Sequence, residues 1–172
     1  MNETINSLKT RRSIRAYKPD AIDEALLDAV LEAGTFAPTG NGSQSPLIVA
    51  VRNAELVRRL ARMNASVNNY AGDPFYGAPA VLIVFGDKSR RTYLLDGAAV
   101  MTTLVNAAHA VGLGSCWINR AKEMFASHEG AQLLKDWGIV GDYEGIGLIA
   151  IGYAAGAAPE PAPRKSGYIV RV

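Results

Sequence analysis

Short, uniformly apolar runs constrain the fold of this chain more than any other feature of its sequence. The runs at 47–51 and 80–85 are too short and too apolar for exposed helices, so they are predicted to be buried strands. Residues 115–118 and 145–153 are predicted to supply two further strands. Helical segments separate these strands, and the chain is therefore predicted to be an α+β structure with one sheet covered by helices.

The helical segments are predicted from apolar periodicity and from capping residues. After Asp20, apolar residues recur at helical spacing up to Leu31, and Gly34 follows, which predicts a capped amphipathic helix. A helix at about 93–111 is apolar on nearly every side. It is therefore predicted to be covered all round, either deep in the domain or in a subunit interface. Further helices are predicted at about 3–10, 54–63 and 121–137.

Size and composition limit the classes of function that the chain can have. Its 172 residues predict one domain, 1–172, and 49% apolar with 20% charged residues is typical of a globular protein. A formal net charge of +2 favours neither nucleic acid nor a membrane surface as a partner. The only cysteine is Cys116, so no internal disulfide is possible. Because the polar start resembles no secretory leader, the expected location is cytoplasmic.

Residues 157–172 are predicted to form an extended C-terminal tail. Three prolines, at 159, 161 and 163, favour extended backbone, and residues 168–172 alternate like an edge strand. Two adjacent cations, Arg164 and Lys165, lie on this tail.

Several common site types are rejected on spacing and context. The G-x-G-x-x-A pattern at 145–150 continues as a strand, whereas the dinucleotide fingerprint requires a helix after it. No metal site is expected, because His109 and His128 are far apart and Cys116 has no partner at ligand spacing. Cys116 lies in a short apolar strand, which is typical of an inert buried thiol and not of a nucleophile.

Polar and cationic segments remain that a core does not explain. Three arginines and a serine fall within residues 11–15, and the arginine fork matches phosphate oxygens, although a solvated helix end is the plainer interpretation of this run alone. Residues 37–46 form a polar turn rich in hydroxyl, amide and backbone N–H groups. In 112–119, glycines precede an aromatic-bearing strand. Together with the cationic tail, these segments suit a phosphorylated aromatic cofactor.

The same segments resemble the FMN-dependent nitroreductase family in the order and spacing of four motifs, from Arg11 to about Lys165. The motifs are Arg11-Arg12-Ser13-x-Arg15, Ala37-Pro38-Thr39-Gly40 continuing to Gln44-Ser45-Pro46, Gly112-Leu113-Gly114-Ser115-Cys116-Trp117-Ile118, and Gly152-Tyr153 followed by Arg164-Lys165. The resemblance implies an α+β fold with a mostly antiparallel central sheet flanked by helices. It also implies an intertwined homodimer with two FMN sites at the subunit interface.

The resemblance further implies roles for individual residues. Arg11, Arg12 and Ser13 would hold the FMN phosphate and ribityl end, and Arg164 with Lys165 would close over the phosphate.

Arg15 would lie at the pyrimidine edge, where a fixed cation stabilises the negative charge of the reduced flavin. Gln44 would touch the flavin. The turn before it would reach the FMN of the other subunit through Pro38, Thr39, Gly40 and Asn41. The end of the third strand would line the ring near N5, with a backbone N–H as donor, through Trp117, Ile118 and Asn119.

The activity implied by the resemblance is transfer of a hydride from NAD(P)H through flavin N5 to an acceptor such as a nitroaromatic or quinone, in a ping-pong cycle. No side-chain acid or base is expected. Gly42 stands where the family usually has Asn, so Asn41 is a candidate substitute, and the loop at 66–79 is the evident candidate for shaping a substrate channel. Three alternatives stay open: another flavin reaction on this fold, a flavin carrier or sensor without turnover, and a purely structural dimer.

Overall fold

Helices and strands alternate through most of the chain in this computed structural model, which describes residues 2–172. In chain order they are α1 (Glu3–Thr10), α2 (Glu24–Thr35), β1 (Leu47–Val51), α3 (Ala54–Ser66), β2 (Ala80–Asp87), α4 (Tyr93–Ala110), β3 (Gly114–Ile118), α5 (Ala121–Ala126), α6 (His128–Asp136) and β4 (Tyr143–Gly152). A short 3-10 turn occupies Gly40–Gly42. None of the helices in this range is long and apolar enough to cross a membrane.

The strands form one sheet in the order β1-β2-β4-β3, and each neighbouring pair is antiparallel. Val49 lies opposite Ile83, which in turn lies opposite Leu148, and Cys116 lies opposite Ala150. The predicted α+β class with an antiparallel central sheet is thus confirmed. The predicted strand at 145–150 is also confirmed, so the G-x-G-x-x-A pattern is part of β4 and opens no helix.

Alternation along the central strands divides the core into two layers, because successive side chains of a strand point to opposite faces. Val81 and Ile83 pack in the layer beneath α3, α5 and α6. Leu82 and Val84 pack in the opposite layer, with α2 and α4. The sheet is therefore covered by helices on both faces, as predicted.

Two predicted helix boundaries are wrong. Asp23, and not Asp20, caps α2, since its carboxylate accepts the N–H groups of Ala25 and Leu26 at 2.9 and 3.3 Å. The single helix predicted at 121–137 is two helices. Ser127 between them has extended backbone (φ −71°, ψ 161°), and its hydroxyl accepts the N–H of Gly130.

Helix α4 packs against the sheet and against α1 and α2, but part of its surface is left exposed, so the option of complete burial within the domain is wrong. Met101 and Leu104 are fully buried, whereas Leu94 and Leu95 on the outer side are 52% and 73% exposed. The subunit-interface option stays a prediction. The predicted strand at 168–172 is wrong for the single chain, because this exposed stretch pairs with no strand of residues 2–172.

Candidate functional site

The arginine-rich segment lies against the outer edge of β3. The Ile14 N–H donates to the Ser115 carbonyl at 3.0 Å. Ser13 and Ser115 form an isolated parallel β-bridge. The buried Tyr17 hydroxyl donates to the carbonyls of Ile14 and Ala150 at 2.8 and 3.0 Å. These bonds fix the backbone of residues 11–17 relative to the sheet. The arginine side chains therefore extend from a backbone that is held in place.

Three guanidiniums gather there without a carboxylate partner among residues 2–172. The side chains of Arg11 and Arg15 make no ion pair or hydrogen bond with that part of the chain. Arg12 donates through Nη1 to the carbonyls of Lys9 and Arg11 at 2.8 and 2.7 Å, while its Nε is buried and has no acceptor. Unpartnered charge and an unsatisfied donor make this segment suited to an anion.

The His109 imidazole lies close to the arginine segment. Its Nε2 lies 3.0 Å from the Thr10 hydroxyl, at the end of α4. Partial burial and then the nearby charges of Arg11 and Arg12 lower the pKa of His109 below its ordinary value of 6.5. The imidazole is therefore mainly neutral at neutral pH, and it adds no charge to the arginines.

The polar turn at 38–44 is anchored to the start of α4 by Asp96, which sequence reasoning missed. Asp96 is 4% exposed, and it accepts the Gly40 N–H at 2.9 Å and the Thr92 hydroxyl at 2.8 Å. Within the turn, the Gln44 N–H donates to the Thr39 hydroxyl at 3.0 Å. One acidic residue in an otherwise apolar helix was the available signal, because a buried carboxylate requires donors.

The structure separates this turn from the arginine segment. The turn is bound at Asp96, whereas the arginines lie beside His109, near the other end of α4. At 1.5 Å per residue, these two positions are about 20 Å apart along the helix. Pro38, Asn41 and Gln44 are exposed, so one chain alone does not bring the turn to the arginines.

The end of β3 presents Trp117 but not the side chain of Ile118. Trp117 is 36% exposed on the α4 face, and its Nε1 lies 2.9 Å from where a Cβ on Gly147 would stand. Ile118 faces the opposite layer with Cys116, and both are buried. Ile118 can therefore contribute only its backbone to a ligand beside Trp117. Burial raises the pKa of the Cys116 thiol, which agrees with the inert thiol that the sequence predicted.

Beyond Ile118, the chain is bound to the end of α3 by residues that sequence reasoning also missed. The amide of Asn64 donates to the Asn119 carbonyl at 2.8 Å. The Arg120 guanidinium donates to the Asn64 carbonyl and to the Asn68 amide oxygen, and it lies 6.0 Å from the centre of the Tyr70 ring. Arg120 has a left-handed backbone with φ +79°. The exposed Asn119 is thus held at a defined position beside Trp117.

The tail cations do not contact the arginine segment in the single chain. Arg164 donates to the Ala162 carbonyl, and the Lys165 ammonium lies 5.3 Å from the Tyr168 ring centre. The tail nonetheless starts close by, since the Ala155 N–H donates to the Ala16 carbonyl at 3.0 Å. Nine extended residues span up to about 30 Å, so this tail has the length to reach the cluster.

A cavity of about 1030 Å³ lies elsewhere, between α3 and residues 70–80. The loop suggested by the sequence as a channel wall lines it from Tyr70 to Pro79, but none of the predicted cofactor residues does. Within residues 2–172, no three His, Cys, Asp or Glu side chains group in a way that could hold a metal ion.

Comparison with known proteins relates this fold and site to a family. The model of the nitroreductase family matches residues 8–153. A crystal structure of a nitroreductase with bound FMN from Bacteroides fragilis superposes with a TM-score of 0.91, at 29% identity and with 100% of both chains covered. A nitroreductase with bound FMN from Desulfitobacterium hafniense superposes with a TM-score of 0.90, at 26% identity, over 100% of this chain and 99% of that one.

A Methanothermobacter thermautotrophicus protein, provisionally named NADH dehydrogenase/NAD(P)H nitroreductase, is 29% identical over 119 residues. The match covers 67% of this chain and 60% of that protein, so the chain spans less than two thirds of this relative. The family model, in contrast, matches most of the chain, and the fold is shared with the two superposed structures. The chain belongs to the nitroreductase family.

Proposed function

We propose that this protein is an NAD(P)H-dependent FMN oxidoreductase that takes a hydride from NAD(P)H at flavin N5 and passes it to an acceptor such as a nitroaromatic or quinone, in a ping-pong cycle. The observation that carries the proposal is the set of three guanidiniums without a carboxylate partner at the edge of β3. Membership of the nitroreductase family, and the FMN bound in two similar structures, support it. FMN supplies the redox chemistry when bound, and the protein supplies position and charge.

The residues of the arginine segment fit the charge of FMN. Arg11 and Arg12 are proposed to bind the phosphate with Ser13, because the buried Nε of Arg12 lacks an acceptor and no acidic group competes for these cations within residues 2–172. Arg15 is proposed to lie at the pyrimidine edge. Trp117, which is 36% exposed, offers an aromatic surface near the end of the same edge strand. No side-chain acid or base is invoked.

A homodimer is proposed because one chain holds the two halves of the site apart. The turn at 38–44 lies about 20 Å along α4 from the arginines, a distance that a second copy can bridge. Large apolar side chains are exposed on α1, the end of α2 and α4, as expected of a contact between copies: Ile5, Leu8, Phe36, Leu94 and Leu95. In the proposed dimer, the turn of each chain reaches the FMN held by the other.

The remaining assignments follow from this arrangement. We propose that residues 1–172 form one FMN-binding domain, with 157–172 as an extended tail. Arg164 and Lys165 are proposed to close over the phosphate once the cofactor and the second copy are in place. The cytoplasm is the proposed compartment, on the strength of the single cysteine, Cys116, which is buried and unpaired.

Visible absorption after FMN loading and desalting tests the proposal. The wild type is expected to retain a flavin spectrum that bleaches with NADH or NADPH without oxygen. Arg12→Ala and Arg15→Ala are expected to lose flavin content or turnover. Arg58→Ala is a matched control for flavin content, because Arg58 is exposed on α3, lines the separate cavity and has no partner among residues 2–172.

A colourless wild-type protein would contradict FMN binding altogether. Retained flavin that neither nicotinamide reduces would indicate a carrier or sensor. Full flavin content with unchanged turnover in both arginine variants would refute the site as assigned.

A further inference from the structure

The peptide that joins Asn119 to Arg120, immediately after β3, is held by a buried side chain with no assigned role. Asn64 near the end of α3 is fully buried, and its Nδ2 donates to the Asn119 carbonyl at 2.8 Å. The same Nδ2 lies 3.2 Å from the Met124 sulfur, while the amide oxygen is buried with no donor among residues 2–172. A buried amide that leaves one atom unsatisfied requires an explanation beyond packing.

The bond from Asn64 determines the direction of a backbone donor. The peptide is trans and planar, so the Arg120 N–H points opposite to the Asn119 carbonyl. Because that carbonyl faces Asn64, the N–H is directed away from α3. It donates to no acceptor in the part of the chain that the structure describes. A free backbone donor is therefore presented at the end of the strand that carries Trp117.

The conformation of Arg120 is held from the same side. A left-handed backbone is unfavourable for a side chain of this size, and it persists only where the surroundings enforce it. The guanidinium bonds to the Asn64 carbonyl at 3.4 Å and to the Asn68 amide oxygen. The carbonyl of this peptide and the side chain of Arg120 are thus both bound to the last turn of α3 and the residues after it, while the N–H stays free.

We propose that Asn64 is a positioning residue that directs the Arg120 N–H at flavin N5. The inference rests on the proposed function, in which the end of β3 lines the ring. Asn64 does not touch the flavin itself. N5 of oxidised flavin accepts a hydrogen bond through its lone pair, whereas N5 of reduced flavin carries hydrogen, so a fixed donor binds the two oxidation states unequally.

Asn64→Leu removes the donor and keeps a similar volume. It leaves the Asn119 carbonyl without this donor but also removes the unsatisfied oxygen, and because the two effects oppose each other, only a modest loss of thermal stability is expected. Affinity for oxidised FMN, measured by flavin fluorescence quenching, is expected to fall by about tenfold at most, because the contribution of one hydrogen bond is lost while the arginine segment is untouched. The rate of flavin reduction at saturating NADH is expected to fall about tenfold or more. The midpoint potential of the bound FMN is the second readout for Asn64→Leu. A tenfold change in the relative affinity of the protein for oxidised and reduced FMN moves this two-electron potential by about 30 mV.

Asn64→Asp is the second variant, and it keeps the shape. Its carboxyl can donate to the Asn119 carbonyl only when protonated. Burial raises the pKa of such a carboxyl and the Arg120 guanidinium opposes that rise, so the variant is compared with the wild type in acidic and alkaline buffers. The ratio of its reduction rate to that of the wild type is expected to be higher in acid.

The outcomes separate the two proposals. A wild type that retains no FMN refutes the proposed function and this inference with it. A wild type that binds and reduces FMN, with an Asn64→Leu variant of unchanged rate and potential, refutes the positioning role alone. A variant that is only less stable, at an unchanged potential, shows a structural role. If Asn64→Leu does not fold, an Asn64→Asp variant with wild-type rate and potential in alkaline buffer refutes the inference.

Discussion

Asp96→Asn is expected to destabilise the protein and to weaken FMN binding without touching the arginine segment. The Asp96 carboxylate accepts two hydrogen bonds, from the Gly40 N–H and the Thr92 hydroxyl. In the variant, one oxygen still accepts from Gly40, and the Thr92 hydroxyl can rotate to accept from the new amide. Both bonds then lose their charged acceptor, which costs about 1 kcal/mol each. The free energy of unfolding is therefore expected to fall by about 2 kcal/mol.

Urea unfolding of the FMN-free protein measures this change. Asp136→Asn is the matched control, because Asp136 is exposed on α6 and accepts one bond from Gln132 at 2.8 Å. The control is expected to change the free energy of unfolding by less than about 0.5 kcal/mol. An Asp96→Asn variant as stable as this control would refute the anchoring of the turn.

Mixed dimers test whether each FMN site combines residues from two chains. If each FMN is held by the arginines of one chain and the turn of the other, a chain with Asp96→Asn and a chain with Arg12→Ala form one intact site between them. Each mixed dimer is then expected to hold FMN in one of its two sites, and because random exchange of equal amounts makes about half of the dimers mixed, about a quarter of all sites are expected to recover FMN. If both halves came from the same chain, every site would keep a defect, and no recovery on mixing would refute the shared site.

Two further predictions concern the pH dependence of stability and the packing of Trp117. The pKa of His109 is lowered in the folded chain by burial, Arg11 and Arg12, so the unfolded chain takes up the proton first as pH falls below 6.5 and the free energy of unfolding decreases. His109→Gln is expected to reduce that decrease in thermal unfolding across this range, and an identical pH profile would contradict it. In Gly147→Ala, the new Cβ would lie 2.6 Å from the Met101 methyl and 2.9 Å from the Trp117 Nε1, so a loss of about 1–3 kcal/mol and weaker FMN retention are expected. Gly156→Ala is the control, since a Cβ there meets nothing within 4 Å, and equal behaviour of the two variants would contradict the packing.

The secondary structure was largely predictable because its signals are local. The apolar run at 47–51 became β1 with the predicted bounds, and the segment 3–10 became α1 with its own cap at Asn2. The break at Ser127 was missed because the residues around it can also continue a helix. Gly130 of α6 approaches the Phe125 backbone, where a Cβ would lie 2.5 Å from its Cα, so the two helices are too close for one straight helix. That approach depends on packing and leaves no local signal.

The sequence by itself determined the strands, most of the helices and, through its resemblance to a family, the segments that are candidates for binding FMN. Only the tertiary structure decided how those segments are supported. Gly40 meets Asp96 across 56 residues and Asn64 meets Asn119 across 55, and these contacts depend on strand register and helix packing. The same register turned Trp117 to one face of the sheet and Ile118 to the other. Propensity acts between neighbours in sequence, whereas a binding site is assembled from residues that only a complete fold brings together.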